Sequence, residues 1–152
     1  LAEFAAKINK KSPKNLIAVT GTNGKSSIAN FYYQILQLNK KKVASIGTLG
    51  VSGISYKKNI FNTTYDPIQL NNIFRILKKK KINNVILEAS SHGLKQCRLD
   101  GLKFNLGIFT NLSRDHLDYH KTFKDYFNSK LILFKRLMKK KSRIIFDEDL
   151  KI

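Results

Sequence analysis

The chain has 152 residues, 42% of them hydrophobic, and 29 lysines and arginines against 10 acidic residues, a net charge of +19. That size and apolar content fit one globular domain with a real core. No apolar run approaches a membrane span, no secretory signal pattern opens the chain, and the single Cys97 excludes an internal disulfide, so a cytoplasmic monomer is the expectation. Leu1 is not an initiator and the only methionine is Met138, so the sequence reads as a processed product or a piece of a longer protein. Many of the basic residues fall in three runs, Lys40–Lys42, Lys78–Lys81 and Lys139–Lys141, each at the end of a predicted helix, where cations complement the helix dipole. The runs are separated, built of lysine and not interleaved with aromatics. They indicate a lysine-rich composition and no nucleic-acid partner.

In chain order, residues 2–10 can form a short helix with Phe4 and Ile8 on one face, broken at Ser12-Pro13. Leu16 to Val19 reads as a short buried strand. Gly21-Thr22-Asn23-Gly24-Lys25-Ser26 follows, and then a helix to about Asn39 whose apolar side is Ile28, Phe31, Tyr32, Ile35, Leu36 and Leu38. Val43 to Ile46 is a second strand, and Gly47 to Ile60 a small hairpin or ordered loop. Asp66-Pro67 carries helix-start signals, with a stripe of Leu70, Ile73, Phe74 and Leu77 behind it. Asn84 to Leu87 and Phe104 to Phe109 are strands. Thr122 caps a long helix to about Met138, and Arg143 to Phe146 is a last strand. Strands alternating with helices imply a parallel sheet with helices on both faces and ligands outside the carboxyl ends of the strands.

Strand, glycine-rich turn, Lys-Ser and helix have the layout of a phosphate-binding loop, with an ordinary glycine-containing βα turn as the alternative. Glycines let backbone N–H groups converge on a polyphosphate, the helix N-terminus adds positive potential, Lys25 supplies a mobile charge and Ser26 a hydroxyl for Mg2+. The loop is shorter than the common form, which has a glycine where this chain has Val19. Glu88 ends a strand beside that loop, as a Mg2+ ligand or as a helix-capping, solvated carboxylate. Arg114, Asp115, His116, Asp118 and His120 form a dense cluster after the next strand, but their order alone identifies no metal site. Lys130 shares a helix face with Phe123, Tyr126, Phe127, Leu131 and Phe134. It either points inward, which is costly unless the amine is paired or modified, or snorkels from the stripe's edge.

The strings VTGTNGKSS (19–27), NTTYDP (62–67), EASSHGLKQCR (88–98), FTNLSRDHLDYH (109–120) and YFNSK (126–130) together resemble the Mur ligase family, in its order and at its spacings. Within it they are most similar to the branch that adds the third amino acid of the peptidoglycan stem peptide. The first string is shared with folylpolyglutamate synthetase; SSHGL and NLSRDHLDYH are more specific. Tyr65 stands where the family often has proline, and GKSS replaces the commoner GKTT.

The resemblance implies roles position by position. Gly21, Thr22, Asn23, Gly24, Lys25, Ser26 and Ser27 would bind the phosphates of ATP. Ser26 and Glu88 would hold one Mg2+ and His116 would help hold a second, near Lys130 carried as a carbamate. Lys25, Lys130 and His116 are the catalytic candidates. Asn62, Thr63, Thr64, Ser90, Gln96 and Arg98 would grip UDP-MurNAc-dipeptide. The implied reaction is ATP-dependent amide formation through an acyl-phosphate, adding meso-diaminopimelate or L-lysine. It also implies that residues 1–152 are part of a central ATP-binding domain, without the domains that hold UDP and select the amino acid. The alternatives are a non-catalytic nucleotide-binding fragment and a ligase like folylpolyglutamate synthetase.

Overall fold

A computed structural model describes residues 12–56 and 62–148. The helix expected over 2–10 and the end of the loop expected to run to Ile60 lie outside these residues. Six strands form one sheet: β1 (Asn15–Thr20), β2 (Val43–Gly47), β3 (Gly50–Ser52), β4 (Asn84–Glu88), β5 (Phe104–Phe109) and β6 (Met138–Phe146). Their order is β3-β2-β4-β1-β5-β6, parallel throughout except β3, which folds back on β2 as the expected hairpin. In the two central pairings Val19 lies opposite Glu88 and Thr20 opposite Phe109. The loop after β1 therefore opens level with the ends of β4 and β5.

β1 is apolar on both sides because both faces are covered. Leu16 and Ala18 join the larger core, which takes in Ala44, Ile46, Val85 and Leu87 from the neighbouring strands. Helix α2 (Pro67–Lys79), the short α3 (Ser91–Lys95) and α5 (Phe123–Arg136) pack on that side, through Leu70, Ile73, Phe74, Leu77, Leu94 and Leu133. Each such buried side chain contributes roughly 2 kcal/mol of transfer free energy. The opposite face, with Ile17, Val19 and Ile86, is covered by helix α1 (Lys25–Leu38) through Ala29, assisted by Ile28 and Tyr32. A one-turn helix, α4 (Leu117–His120), precedes α5.

Three expectations are corrected. The apolar side of α1 is wider than its contact with the sheet: Phe31, Ile35 and Leu38 are 60%, 57% and 83% exposed, and Ala29 is the buried residue. The inward face of α5 is rotated from the expected stripe. Tyr126, Ser129, Lys130 and Leu133 are buried, whereas Phe123 is exposed. The run Lys139–Lys141 does not end a helix, because α5 stops at Arg136 and these lysines belong to β6. There they lie on an edge strand, where charge discourages pairing with other chains.

Asp66 caps α2 as its sequence position predicts, accepting from the backbone N–H groups of Ile68 and Gln69 at 2.9 Å each. Asp66→Ala leaves both donors without that partner. It is expected to cost about 1 kcal/mol, read as a lowered urea midpoint at unchanged m-value.

Candidate active site

The phosphate loop is a tight turn fixed from β5. Gly21 has φ +147° and Gly24, which precedes α1, has φ +81°. Thr22 N–H donates to the Asn111 carbonyl at 3.0 Å, Asn23 N–H to Asn111 Oδ1 at 2.9 Å, and Thr110 Oγ1 to the Asn23 carbonyl at 2.6 Å. Sequence reasoning gave Thr110 and Asn111 no role; their partners lie nearly ninety residues away. The first turn of α1 holds no acidic residue and no side chain caps it, so its N–H groups face outward for an anion. Lys25 folds back over the loop, donating to the carbonyls of Gly21 (2.9 Å) and Thr22 (2.7 Å). Burial lowers its pKa, an effect the charges of Glu88 and Asp115 oppose.

Glu88 is buried at the end of β4. Its Oε2 accepts from Ser26 Oγ at 3.0 Å and from Thr48 Oγ1 at 3.1 Å, and its Oε1 accepts from Thr48 N–H at 3.1 Å. The expected pair of Ser26 and Glu88 is therefore together. A hydroxyl and a carboxylate are the hard oxygen donors Mg2+ takes, and it binds with one or two carboxylates, phosphates and water. The donor set fits. Among the described residues no cluster of three or more His, Cys, Asp or Glu side chains suits a metal, so other ligands would come from phosphates and water.

Lys130 points inward. It is 1% exposed, and its Nζ donates to the Gly21 carbonyl at 2.6 Å and sits 4.3 Å from the centre of the Tyr126 ring. Burial, reinforced by the nearby charge of Lys25, pulls its pKa down to about 7. Two lysine amines thus converge on one carbonyl. Tyr126 joins the parts: its hydroxyl is 3.0 Å from Thr22 Oγ1, and Thr22 Oγ1 accepts from Ser113 N–H at 2.9 Å. His116 is half exposed, with its ring 6.2 Å from that of Tyr126 and 4.8 Å from that of His92. Its backbone is left-handed, at φ +52°. His92 and His120 have lowered pKa values, first through burial and then through neighbouring histidines, His116 for His92 and His92 for His120. Sequence reasoning had assigned His92 no role.

The expected substrate positions form a second group beside Glu88. Thr64 Oγ1 donates to the Glu88 carbonyl at 2.9 Å and contacts Ser90 Oγ at 3.0 Å, while Arg98 Nη1 donates to the Thr64 carbonyl at 2.7 Å. Thr64 is buried and its hydroxyl is used in shaping the site. Gln96 Nε2 donates to Tyr119 Oη at 3.2 Å, and Thr63 Oγ1 lies 3.1 Å from Thr48 Oγ1. Asn62 and Ser27 are exposed.

Sheet, loop and acidic strand end define an α/β nucleotide-binding domain. Residues 19–152 match the model of the Mur ligase middle domain. A 2,6-diaminopimelate-adding ligase of Mesorhizobium japonicum, UDP-N-acetylmuramoyl-L-alanyl-D-glutamate--2,6-diaminopimelate ligase, is 45% identical over 98% of this chain and 31% of its own length. A solved structure of a ligase of that name superposes with a TM-score of 0.77 at 34% identity, over 97% of this chain and 29% of that one. A MurF ligase from Thermotoga maritima in complex with ADP shares the fold, with a TM-score of 0.66 at 18% identity over 97% of this chain and 31% of that one. The chain belongs to the Mur ligase family. It spans about a third of the length of these relatives.

Proposed function

We propose that the chain is the ATP-binding part of a ligase that joins 2,6-diaminopimelate to the D-Glu carboxylate of UDP-MurNAc-L-Ala-D-Glu. The observation that carries this reading is the convergence of Lys25, Lys130 and the Ser26–Glu88 pair around one glycine turn, in a chain whose relatives bear that activity in their names. Those names favour diaminopimelate over lysine, a choice the sequence left open. The rest of the longer polypeptide would supply the UDP-binding and amino-acid-selecting domains.

In the proposed reaction the D-Glu carboxylate attacks the γ-phosphorus of ATP, and the bond to ADP breaks. The amine of diaminopimelate then attacks the acyl carbon, forming the amide and releasing phosphate. The chain's part is positioning and charge. Lys25 exchanges the Gly21 and Thr22 carbonyls for the outer phosphates, and the first turn of α1 receives the inner ones. Bound Mg2+, held by Ser26 and Glu88 with a second near His116, would neutralise charge on the transferring phosphoryl group. Asn62, Thr63, Ser90, Gln96 and Arg98 line the acceptor's side, with Thr64 setting their geometry.

Lys130 is proposed to be N-carboxylated. The buried ammonium gives up one proton, and the neutral amine attacks CO2, forming a C–N bond and releasing a second proton, so that a cation becomes an anion. A pKa near 7 supports this by leaving about half the amine neutral at pH 7. The modification would also replace repulsion between Lys25 and Lys130 with attraction.

Ser26→Ala and Glu88→Gln in the full-length ligase test the metal assignment. Each is expected to weaken Mg2+-dependent ATP binding by about 10-fold or more, measured by titration calorimetry at varied Mg2+. Unchanged binding in both variants would remove Ser26 and Glu88 from the metal site.

A further inference from the structure

Glu88 is held by a residue that none of the family strings contains. We propose that Thr48 is a positioning residue that aims the Glu88 carboxylate and couples it to the acceptor-binding loop at Thr63; the inference rests on the Mg2+ role proposed for Glu88.

The geometry comes from the turn between β2 and β3. Gly47 brings the backbone so close to Glu88 that a Cβ there would lie 2.1 Å from Oε1. That approach lets the next N–H, of Thr48, donate to Oε1 at 3.1 Å. Thr48 Oγ1 then stands 3.1 Å from Glu88 Oε2 and 3.1 Å from Thr63 Oγ1. A hydroxyl has one proton to give, and a carboxylate can only accept. Thr48 is the donor towards both, so its one proton stands between Glu88 Oε2 and Thr63 Oγ1. The result is a single hydroxyl that bridges the loop at Thr63 and the carboxylate.

Both carboxylate oxygens are thus held from one residue, and Ser26 donates to one of them from the other side. Free rotation of the Glu88 carboxylate would cost the site its aim. The same loop is fixed a residue later, where Thr64 Oγ1 donates to the Glu88 carbonyl. Seating an acceptor on Thr63 and orienting Glu88 are consequently linked events. Thr48 itself is exposed in the turn and contributes little to the core.

The test uses the full-length ligase with Thr48→Val, which keeps the branched shape and the backbone N–H but removes the hydroxyl. Thr48→Ser and Glu88→Gln are measured alongside. Thr48→Val is expected to raise the Mg2+ concentration for half-maximal rate about 10-fold, in the range of losses when an oriented ligand's partner is removed. It should also raise KM for UDP-MurNAc-L-Ala-D-Glu several-fold, with the melting temperature unchanged. Thr48→Ser restores both to within about 2-fold. A role confined to the turn would move the melting temperature and leave the Mg2+ requirement alone. If Glu88→Gln is impaired while Thr48→Val matches wild type in Mg2+ requirement, the inference falls and the metal reading stands. A shift in Mg2+ requirement that Thr48→Ser fails to reverse overturns the hydroxyl's role, and one without a change in acceptor KM overturns the coupling to Thr63. If Glu88→Gln is itself silent, the metal reading fails and takes the inference with it.

Discussion

Lys130→Ala in the full-length ligase is expected to lower the ligation rate by about 10³-fold or more, the scale of losing a preorganised charge at a phosphoryl-transfer centre. The amine is buried against Tyr126 and the Gly21 carbonyl, so alanine leaves a hole of side-chain length beside the phosphate loop. Short carboxylic acids such as acetate or propionate fit that hole and carry the charge a carbamate would have. Partial recovery with rising carboxylate concentration is the expected signature. The wild-type enzyme should also lose activity in CO2-free buffer and regain it with bicarbonate. Acid should act in the same direction. With a pKa of about 7, the neutral amine falls from about 90% at pH 8 to about 10% at pH 6, and carbamate formation with it. Full activity in Lys130→Ala would end the carbamate assignment.

Gly21→Ala should be the most damaging change in the phosphate loop. A Cβ at this position would lie 1.9 Å from Thr110 Oγ1, and φ is +147°, a region alanine avoids. Two costs follow. The backbone strain is about 1–3 kcal/mol. The clash adds to it by displacing Thr110, whose hydroxyl holds the Asn23 carbonyl. The expected outcome is loss of ATP binding beyond about 10-fold, together with a lower melting temperature. The double variant Gly21→Ala/Thr110→Ala separates the costs, because it relieves the clash but not the strain. Partial recovery of stability in the double variant is expected. A silent single variant would show that the loop relaxes freely and that Thr110 does not clamp it.

Much of this architecture was legible before the fold was known. Strand periods and helix signals located the sheet. The rule that ligands gather at the carboxyl ends of parallel strands put Gly21, Glu88 and the cluster around His116 at one edge. What escaped was long-range or depended on a neighbour. Thr48 sits in an ordinary Gly-Thr turn, and its partners are 40 and 15 residues away. Tyr126 reads as one more member of an apolar stripe, yet its hydroxyl reaches Thr22 across 104 residues. Helical spacing could not decide whether Lys130 pointed in or snorkelled, because the answer lies in whether a carbonyl waits for it. The stripe on α1 failed for the converse reason: periodicity shows which side of a helix is apolar, not whether anything covers it.

The far edge of the sheet has a consequence for handling. On β6, Ile144, Ile145 and Phe146 are about half exposed, on alternating faces of a strand that has one unpaired side among the described residues. Such an edge is a template for strand addition. The net charge of +19 opposes it by keeping copies apart. That protection is colloidal and ionic: at 0.1 M salt repulsion fades within about 10 Å, whereas the apolar edge is untouched. A preparation limited to these residues would stay dispersed in dilute buffer and cluster edge to edge as salt rises.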